Sequence, residues 1–268
     1  MVCKVLKISR SSYYNHLNKV KSKSKLRKEF IQDKILEIYY DSKKIYGAPK
    51  IHKILSGLGI KINIKTVQRY MVELGIRSIV IKNYKPYTKK TNIIERENIL
   101  DRDFETDKIN QKWCADITYI HTQKNGWTYL ASVMDLHSRK IVGYSYGKKM
   151  TSDLVLDSIK NAEINRKKDS KIILHSYLGS QYTSDLITKY CKKNNILQSF
   201  SRKGNPYDNA CIESFHSILK KEEVNYKTYK SYEEAKLCIF MFIEHWYNNK
   251  RIHSSINYRT PNEIHNAS

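Results

Sequence analysis

The chain has 268 residues, 40% of them hydrophobic, which is enough to bury one sizeable core and a small accessory domain and too apolar for wholesale disorder. Its formal charge of +23, from 49 Lys and Arg against 26 Asp and Glu, attracts polyanions, nucleic acid foremost, with a solvated Lys-rich surface as the alternative. No apolar run approaches the ~20 residues of a bilayer span and no signal-peptide pattern opens the chain, so the expectation is a cytoplasmic protein with no membrane partner.

The charge is uneven. Residues 1–100 hold 23 Lys and Arg against 7 Asp and Glu, and residues 101–268 hold 26 against 19. Cys3, Cys114, Cys191, Cys211 and Cys238 are scattered without a CxxC pair, which supports neither a disulfide framework nor a zinc site. His245 and His253 lack a matching Cys pair and are not read as ligands.

A short helix ending near Tyr14 to Leu17 opens the chain. The alternating Lys and Ser of 19–28 then reads as a flexible basic connector. Apolar spacings of three and four predict helices over Phe30 to Tyr40, Ala48 to Leu58 and Lys65 to Leu74, with Gly59 and Gly75 at their stops. The tight connection from Gly57 to Asn63 makes these a helix-turn-helix whose last helix presents Lys65, Gln68 and Arg69 outward. A three-helix module that binds only other proteins is the competing reading, and the local positive charge favours DNA. We assign 1–81 to this basic DNA-binding region and 82–110 to a linker.

From Trp113 the pattern changes. Strands are predicted at Ala115 to Ile120, Trp127 to Leu136 and Lys140 to Tyr146, with Lys124-Asn125-Gly126 as a hairpin turn. A helix over Ser152 to Arg166, a buried strand Ile172 to His175, a helix Ser184 to Asn195, a strand Ile196 to Phe200 and a helix from Asp208 to Glu223 follow. Three antiparallel strands followed by alternating helix and strand imply an α/β fold, a mixed sheet with helices on its faces. The tail begins with a predicted capping box, Ser231 with Glu234, and a helix to Trp246. Residues 111–224 form the predicted core and 225–268 its helical extension.

Long motifs carry a family resemblance. Trp113-Cys-Ala-Asp116-Ile-Thr-Tyr-Ile120, Met134-Asp-Leu-His-Ser-Arg-Lys-Ile-Val-Gly-Tyr144, Ile173-Leu-His-Ser-Tyr177-Leu-Gly-Ser-Gln-Tyr-Thr-Ser184, Ser201-Arg-Lys-Gly-Asn-Pro-Tyr-Asp-Asn-Ala-Cys-Ile-Glu213-Ser-Phe and Trp246-Tyr-Asn-Asn-Lys-Arg-Ile-His-Ser-Ser255 closely resemble the core of bacterial insertion-sequence transposases related to retroviral integrases. Tyr46-Gly-Ala-Pro-Lys-Ile-His52 and Lys65-Thr-Val-Gln-Arg-Tyr-Met71 look like that group's helix-turn-helix segment.

The resemblance implies a ribonuclease H-like mixed five-stranded sheet with flanking helices, preceded by a small all-α helix-turn-helix domain. It also implies a protein that binds double-stranded DNA, both the terminal repeats of its element and the target, and joins strand ends with Mg²⁺ or Mn²⁺ as a homo-oligomer. In this group the product is often a second reading frame, joined by frameshifting to an upstream element protein, so Met1 marks either a separate product or a truncated fusion.

Three carboxylates hold the paired ions in such a core. Asp116 takes the first role and Glu213 the third, whereas the second place is held by Tyr177, with Leu178 where Arg is usual. A neutral phenol is a poor ligand for a hard divalent cation, so the expectation is an incomplete metal site and impaired catalysis. A protein that binds DNA as a regulator or decoy of transposition is the alternative. Asp135, Asp185 and Asp208 are the other acids within reach, and each is read as a cap, turn or hydrogen-bonding residue. Arg202, Lys203 and Lys220 suit phosphate contacts, with one-sided surface charge as the competing explanation. His175 and Asn209 are read either as neighbours of the metal or as locally bonded residues, and Trp113 and Trp246 as core anchors.

Overall fold

The computed structural model describes residues 9, 11, 13–14, 21–80, 97–164, 166, 171–202 and 205–267. It divides into two compact units, residues 1–79 and 80–268. The predicted opening helix lies almost wholly outside the described residues, as does Lys203.

The first unit is all helical. Helix α1 (Lys23–Asp41) begins seven residues before the predicted start. Ser22 caps it by accepting from the Lys25 N–H at 3.2 Å, a contact worth about 1 kcal/mol. Lys, Leu, Arg and Glu are good helix formers, and tertiary ties fix the first turns. Arg27 reaches the Lys61 carbonyl at 3.0 Å and Lys28 pairs with Glu73 at 2.7 Å. The connector expected over 19–28 is therefore helical from Lys23 onward.

Helix α2 (Ala48–Gly57) has Pro49 in its first turn, where a missing N–H costs nothing. Gly59 then adopts φ +78°, a left-handed turn that a side chain would strain. Helix α3 (Ile64–Glu73) is capped by Asn63, which accepts from the Lys65 N–H at 2.8 Å. Ile35, Ile51, Leu55 and Val67 are fully buried, so the three apolar stripes meet in one small core.

In the second unit five strands form one sheet of order β3-β2-β1-β4-β5. Strands β1 (Lys112–Thr122), β2 (Gly126–Asp135) and β3 (Ile141–Gly147) are antiparallel, and β4 (Ile172–Ser176) and β5 (Ile196–Phe200) run parallel to β1. This is the mixed α/β sheet read from the sequence pattern, in the ribonuclease H-like arrangement that the family resemblance implied. The hairpin turns at Gly126 with φ +66°.

Helix α4 (Ser152–Glu163) covers β2 and β3, and Leu154, Val155 and Ile159 pack with Trp113, Ala131 and Val133 of the sheet. A Cβ on Gly143 of β3 would fall 2.3 Å from the Ser158 carbonyl oxygen, so only glycine lets helix and strand approach this closely. The helix stops three residues short of the predicted Arg166, whose guanidinium turns back to Glu163 at 2.9 Å and to the Asn194 carbonyl at 3.0 Å. A single turn α5 (Ser180–Thr183), which the sequence reading did not include, precedes the helix expected over Ser184 to Asn195, which forms as α6 (Asp185–Lys193).

Helix α7 (Ala210–Glu222) lies on the other face of the sheet. The predicted helical start at Asp208 is instead a 3₁₀ turn, Pro206–Asn209. The tail gives α8 (Tyr232–Phe240), which continues as a wide π-helical turn, Met241–Tyr247, and α9 (Pro261–Asn266), which the sequence reading missed. Ser231 caps α8 through the Glu234 N–H, but Glu234 reaches back to the Lys230 N–H rather than to that of Ser231, so the expected box is only half formed. The complete capping box is Thr260 with Glu263 at α9.

The tail fastens α7 to the sheet. Arg251 and Glu222, both buried, pair at 2.7 Å, and the Trp246 indole N–H donates to the same carboxylate at 3.1 Å. Asn248 bonds both backbone polar groups of Ile141 at the start of β3. Residues 97–110, within the stretch expected to link the domains, are packed on this unit. Phe200 N–H donates to the Glu97 carbonyl, and the N–H of buried Leu100 donates to Ser199 Oγ.

Candidate active site

Strand β4 pairs with β1 only from Lys112 to Ala115, where Ala115 faces Ser176. Asp116 and Tyr177 are therefore the next residues along two adjacent parallel strands, at the carboxyl end of β4, where open α/β sheets place their ligand crevices. Glu213 arrives from the opposite side, in the first turn of α7. Residues 213, 216, 217 and 220 share one helical face and line, with Asp116 to Tyr119, a cleft of about 430 Å³. A larger depression of about 930 Å³ lies at the amino ends of β1, β4 and β5 and contains none of the candidate residues.

The Tyr177 hydroxyl donates to Glu213 Oε1 at 2.6 Å. That length is typical of an O–H donor on a carboxylate, a bond worth about 1.5–3 kcal/mol. Burial pushes the Tyr177 phenol well above its ordinary range, aided by that hydrogen bond and by the negative charges of Glu213, Asp116 and Asp208. The phenol is thus protonated at neutral pH, and one oxygen of Glu213 is occupied by its proton.

His216 was not foreseen from the sequence. Its Nε2 is 2.8 Å from Ser132 Oγ and its Nδ1 is 3.4 Å from Asp116 Oδ2. Ser132 is the cross-strand partner of Asp116, so a hydroxyl donating to Nε2 leaves the Nδ1 proton facing the carboxylate. The signal was the spacing Glu-x-x-His, which places both side chains on one helical face. Lys220 is four residues further on, over the Tyr119 ring at 4.3 Å. Burial lowers its ammonium pKa, with Asp116 opposing.

The other candidate acids are engaged elsewhere. Asp208 has a fully buried side chain that accepts from Arg102 Nε at 2.7 Å, the Arg202 backbone N–H at 2.9 Å and Asn98 Nδ2 at 3.1 Å. Burial alone would raise its carboxyl, but the bonds from Arg202 and Arg102 hold it well below the usual range. Asp135 accepts from Ser138 and from the Asn110 N–H, and Asp185 sits exposed in the first turn of α6. Arg202, expected on phosphate, is paired with Asp208 and Asp101. His175 is fully buried between Ser199 and Ser201, and burial pushes its pKa down to about 4, with Asp208 opposing. Asn209 donates to the Ala115 carbonyl at 3.3 Å, and its own carbonyl oxygen is buried without a hydrogen-bond partner. Trp113 and Trp246 are buried. In the first unit, Lys65, Gln68 and Arg69 are exposed on α3, while Val67 and Met71 face inward.

Paired divalent ions ask for a set of compact anionic oxygens. Here Asp116 and Glu213 come together with a neutral phenol, and among the described residues no three His, Cys, Asp or Glu side chains converge as ligands. The donors as arranged do not fit two ions.

A mixed sheet of this order, with Asp116 in its central strand and Glu213 on the packed helix, lies in the part of the chain that integrase core domain models match. An integrase core domain model matches residues 106–206, a second integrase core model matches 194–261, and an HTH-like domain model matches 25–84. The transposase for insertion sequence element IS904 of Lactococcus lactis is 37% identical, over 91% of this chain and 96% of that one. The transposase InsF for insertion sequence IS3A of Escherichia coli K12 is 35% identical, over 99% and 93%. The chain is also similar to the HTLV-2 integrase catalytic core domain solved in complex with magnesium (TM-score 0.46, 16% identity, 60% of this chain and 99% of that one). The chain belongs to the insertion-sequence transposases with an integrase core. Among the described residues no helix is long and apolar enough to cross a membrane.

Proposed function

We propose that this transposase binds the ends of its element through the first unit and the Asp116–Glu213 cleft, and that its strand-joining chemistry is severely impaired. The observation that carries this reading is the Tyr177 hydroxyl on Glu213 Oε1 at 2.6 Å. The phenol stands where a second carboxylate would complete the ligand set, and it also takes up one oxygen of the third. His216 orients Asp116, and Lys220 supplies a cation at the cleft rim. Lys220 and Lys221 suit a phosphodiester, whereas Asp116 and Glu213 would repel it without metal, so DNA binding rests on these cations and on the first unit and outlasts the loss of chemistry.

In this reading residues 1–81 bind DNA, with Lys65, Gln68 and Arg69 on the duplex, 111–224 form the catalytic core and 225–268 brace it. Lys220 serves phosphate contact better than Arg202, whose guanidinium is committed to Asp208. The protein acts in the cytoplasm as an oligomer on DNA, with or without an upstream-frame partner.

Purified wild type and Tyr177→Asp are to be compared for Mg²⁺-dependent joining of element-end duplexes. The loss of a residue that merely orients a ligand costs about 10–100-fold, so restoring a ligand is expected to raise joining by more than that. Equal joining by both proteins refutes the impairment. The same observation favours a second role: a chain that holds element ends without cutting acts as a decoy. Added to an intact relative, it is expected to inhibit joining in proportion to its occupancy of the ends.

A further inference from the structure

Beyond Ala115, strand β1 outruns β4, and its edge from Ile117 to Tyr119 borders the cleft. Past that point β1 and β2 project as a hairpin, with Thr122 bridged to Tyr229 at the tip. One face of this hairpin carries an aromatic cluster. Trp127 and Tyr119 are each 55% exposed, and their rings meet nearly edge-to-face at 5.2 Å. His121 meets the same indole at 5.1 Å and 76°. A tryptophan flanked by two near-perpendicular rings is held in position yet left open to solvent, a costly arrangement for a surface with nothing to bind.

Its surroundings say what it fits. Tyr119 lines the Asp116 cleft, and Lys220, which lines the same cleft, holds its ammonium 4.3 Å from the Tyr119 ring. Lys221 lies beside it and Lys124 at the hairpin turn. An aromatic face rimmed by cations and continuous with a phosphodiester cleft matches unpaired nucleobases, whose rings stack while the backbone lies along positive charge. The cations favour an anionic strand over a second copy of this chain, whose own formal charge is +23. We propose that Trp127, buttressed by Tyr119 and His121, stacks unpaired bases of a DNA strand end whose phosphate lies against Lys220 and Lys221 at the rim of the Asp116–Glu213 cleft. The inference rests on the DNA-binding reading above and adds to it a preference for frayed or single-stranded ends over fully paired ones.

The other two tryptophans, Trp113 and Trp246, are buried, so the emission change on stacking belongs to Trp127. The full chain is titrated at fixed salt with a short blunt duplex and with the same duplex carrying a single-stranded 3′ overhang. The overhang is expected to quench emission and to bind about five- to a hundredfold more tightly than the blunt form. Trp127→Leu is expected to abolish that advantage without lowering the thermal midpoint, and Trp127→Tyr to keep most of it. Equal affinity for both duplexes with unquenched emission overturns this inference alone. So does quenching by raised protein concentration without DNA, which would mark a surface for a second copy. Failure to bind either duplex overturns the DNA-binding reading, and this one with it.

Discussion

Replacing Tyr177 by Asp changes stability as well as chemistry. The substitution removes the hydrogen bond to Glu213, worth about 1.5–3 kcal/mol, and sets a third negative charge among groups that already include Asp116 and Glu213. Like charges ~5 Å apart at an effective dielectric of ~20 repel by about 3 kcal/mol, which partial exposure of the cleft reduces. A net loss of about 3 kcal/mol without divalent metal is therefore expected, or about 6–12 °C for a unit of this size. Metal should return much of it, because a ligand at a hundred times its dissociation constant stabilises by about 2.7 kcal/mol. Thermal melts in EDTA and in Mg²⁺ read both effects: the variant melts well below wild type in EDTA and recovers several degrees in Mg²⁺, whereas wild type shifts little. A wild-type shift as large as the variant's would refute the idea that the phenol displaces metal.

Three further outcomes follow from packing and charge. Gly143→Ala puts a methyl 2.3 Å from the Ser158 carbonyl, so α4 must move off β3 and the urea midpoint falls by the equivalent of about 3 kcal/mol. Arg251→Met strands the buried Glu222 carboxylate and costs about 3–5 kcal/mol, much of which Glu222→Gln in the same chain returns; full additivity in a double-mutant cycle would show that the pair is not coupled. Asp208 has a folded pKa held below its unfolded value of ~3.9, so its contribution is present above that pH and fades as pH falls toward the folded pKa. Asp208→Asn is thus expected to be less stable than wild type at pH 7 in chemical unfolding, with the gap narrowing below about pH 4.

The strands were legible because alternation and the Asn-Gly turn are local signals, and β1 to β5 fall within a few residues of their predicted limits. Helix ends were less so, because side chains far along the chain set them. Arg27 and Lys28 extend α1 by gripping Lys61 and Glu73, and Arg102 and Arg202 hold Asp208 out of α7. The π-turn at Met241–Tyr247 leaves no mark in a pattern of apolar spacing. In the site, Asp116, Tyr177 and Glu213 were recognisable from their motifs. His216 carried only the Glu-x-x-His spacing as a signal, and its partners became visible when the fold set Ser132 and Asp116 on either side of its ring. The exposed cluster at Tyr119, His121 and Trp127 was equally hidden, since nothing in the strand pattern shows that β4 ends early.

The clamp of Arg251 and Trp246 on Glu222 acts nine residues from Glu213 on the same rigid helix. A nonsense codon at or before position 246 would remove both clamp residues, free the base of that rod and loosen the end that carries Glu213. For a mobile element, lesions late in the reading frame therefore reach the cleft although no residue past Asn225 lines it.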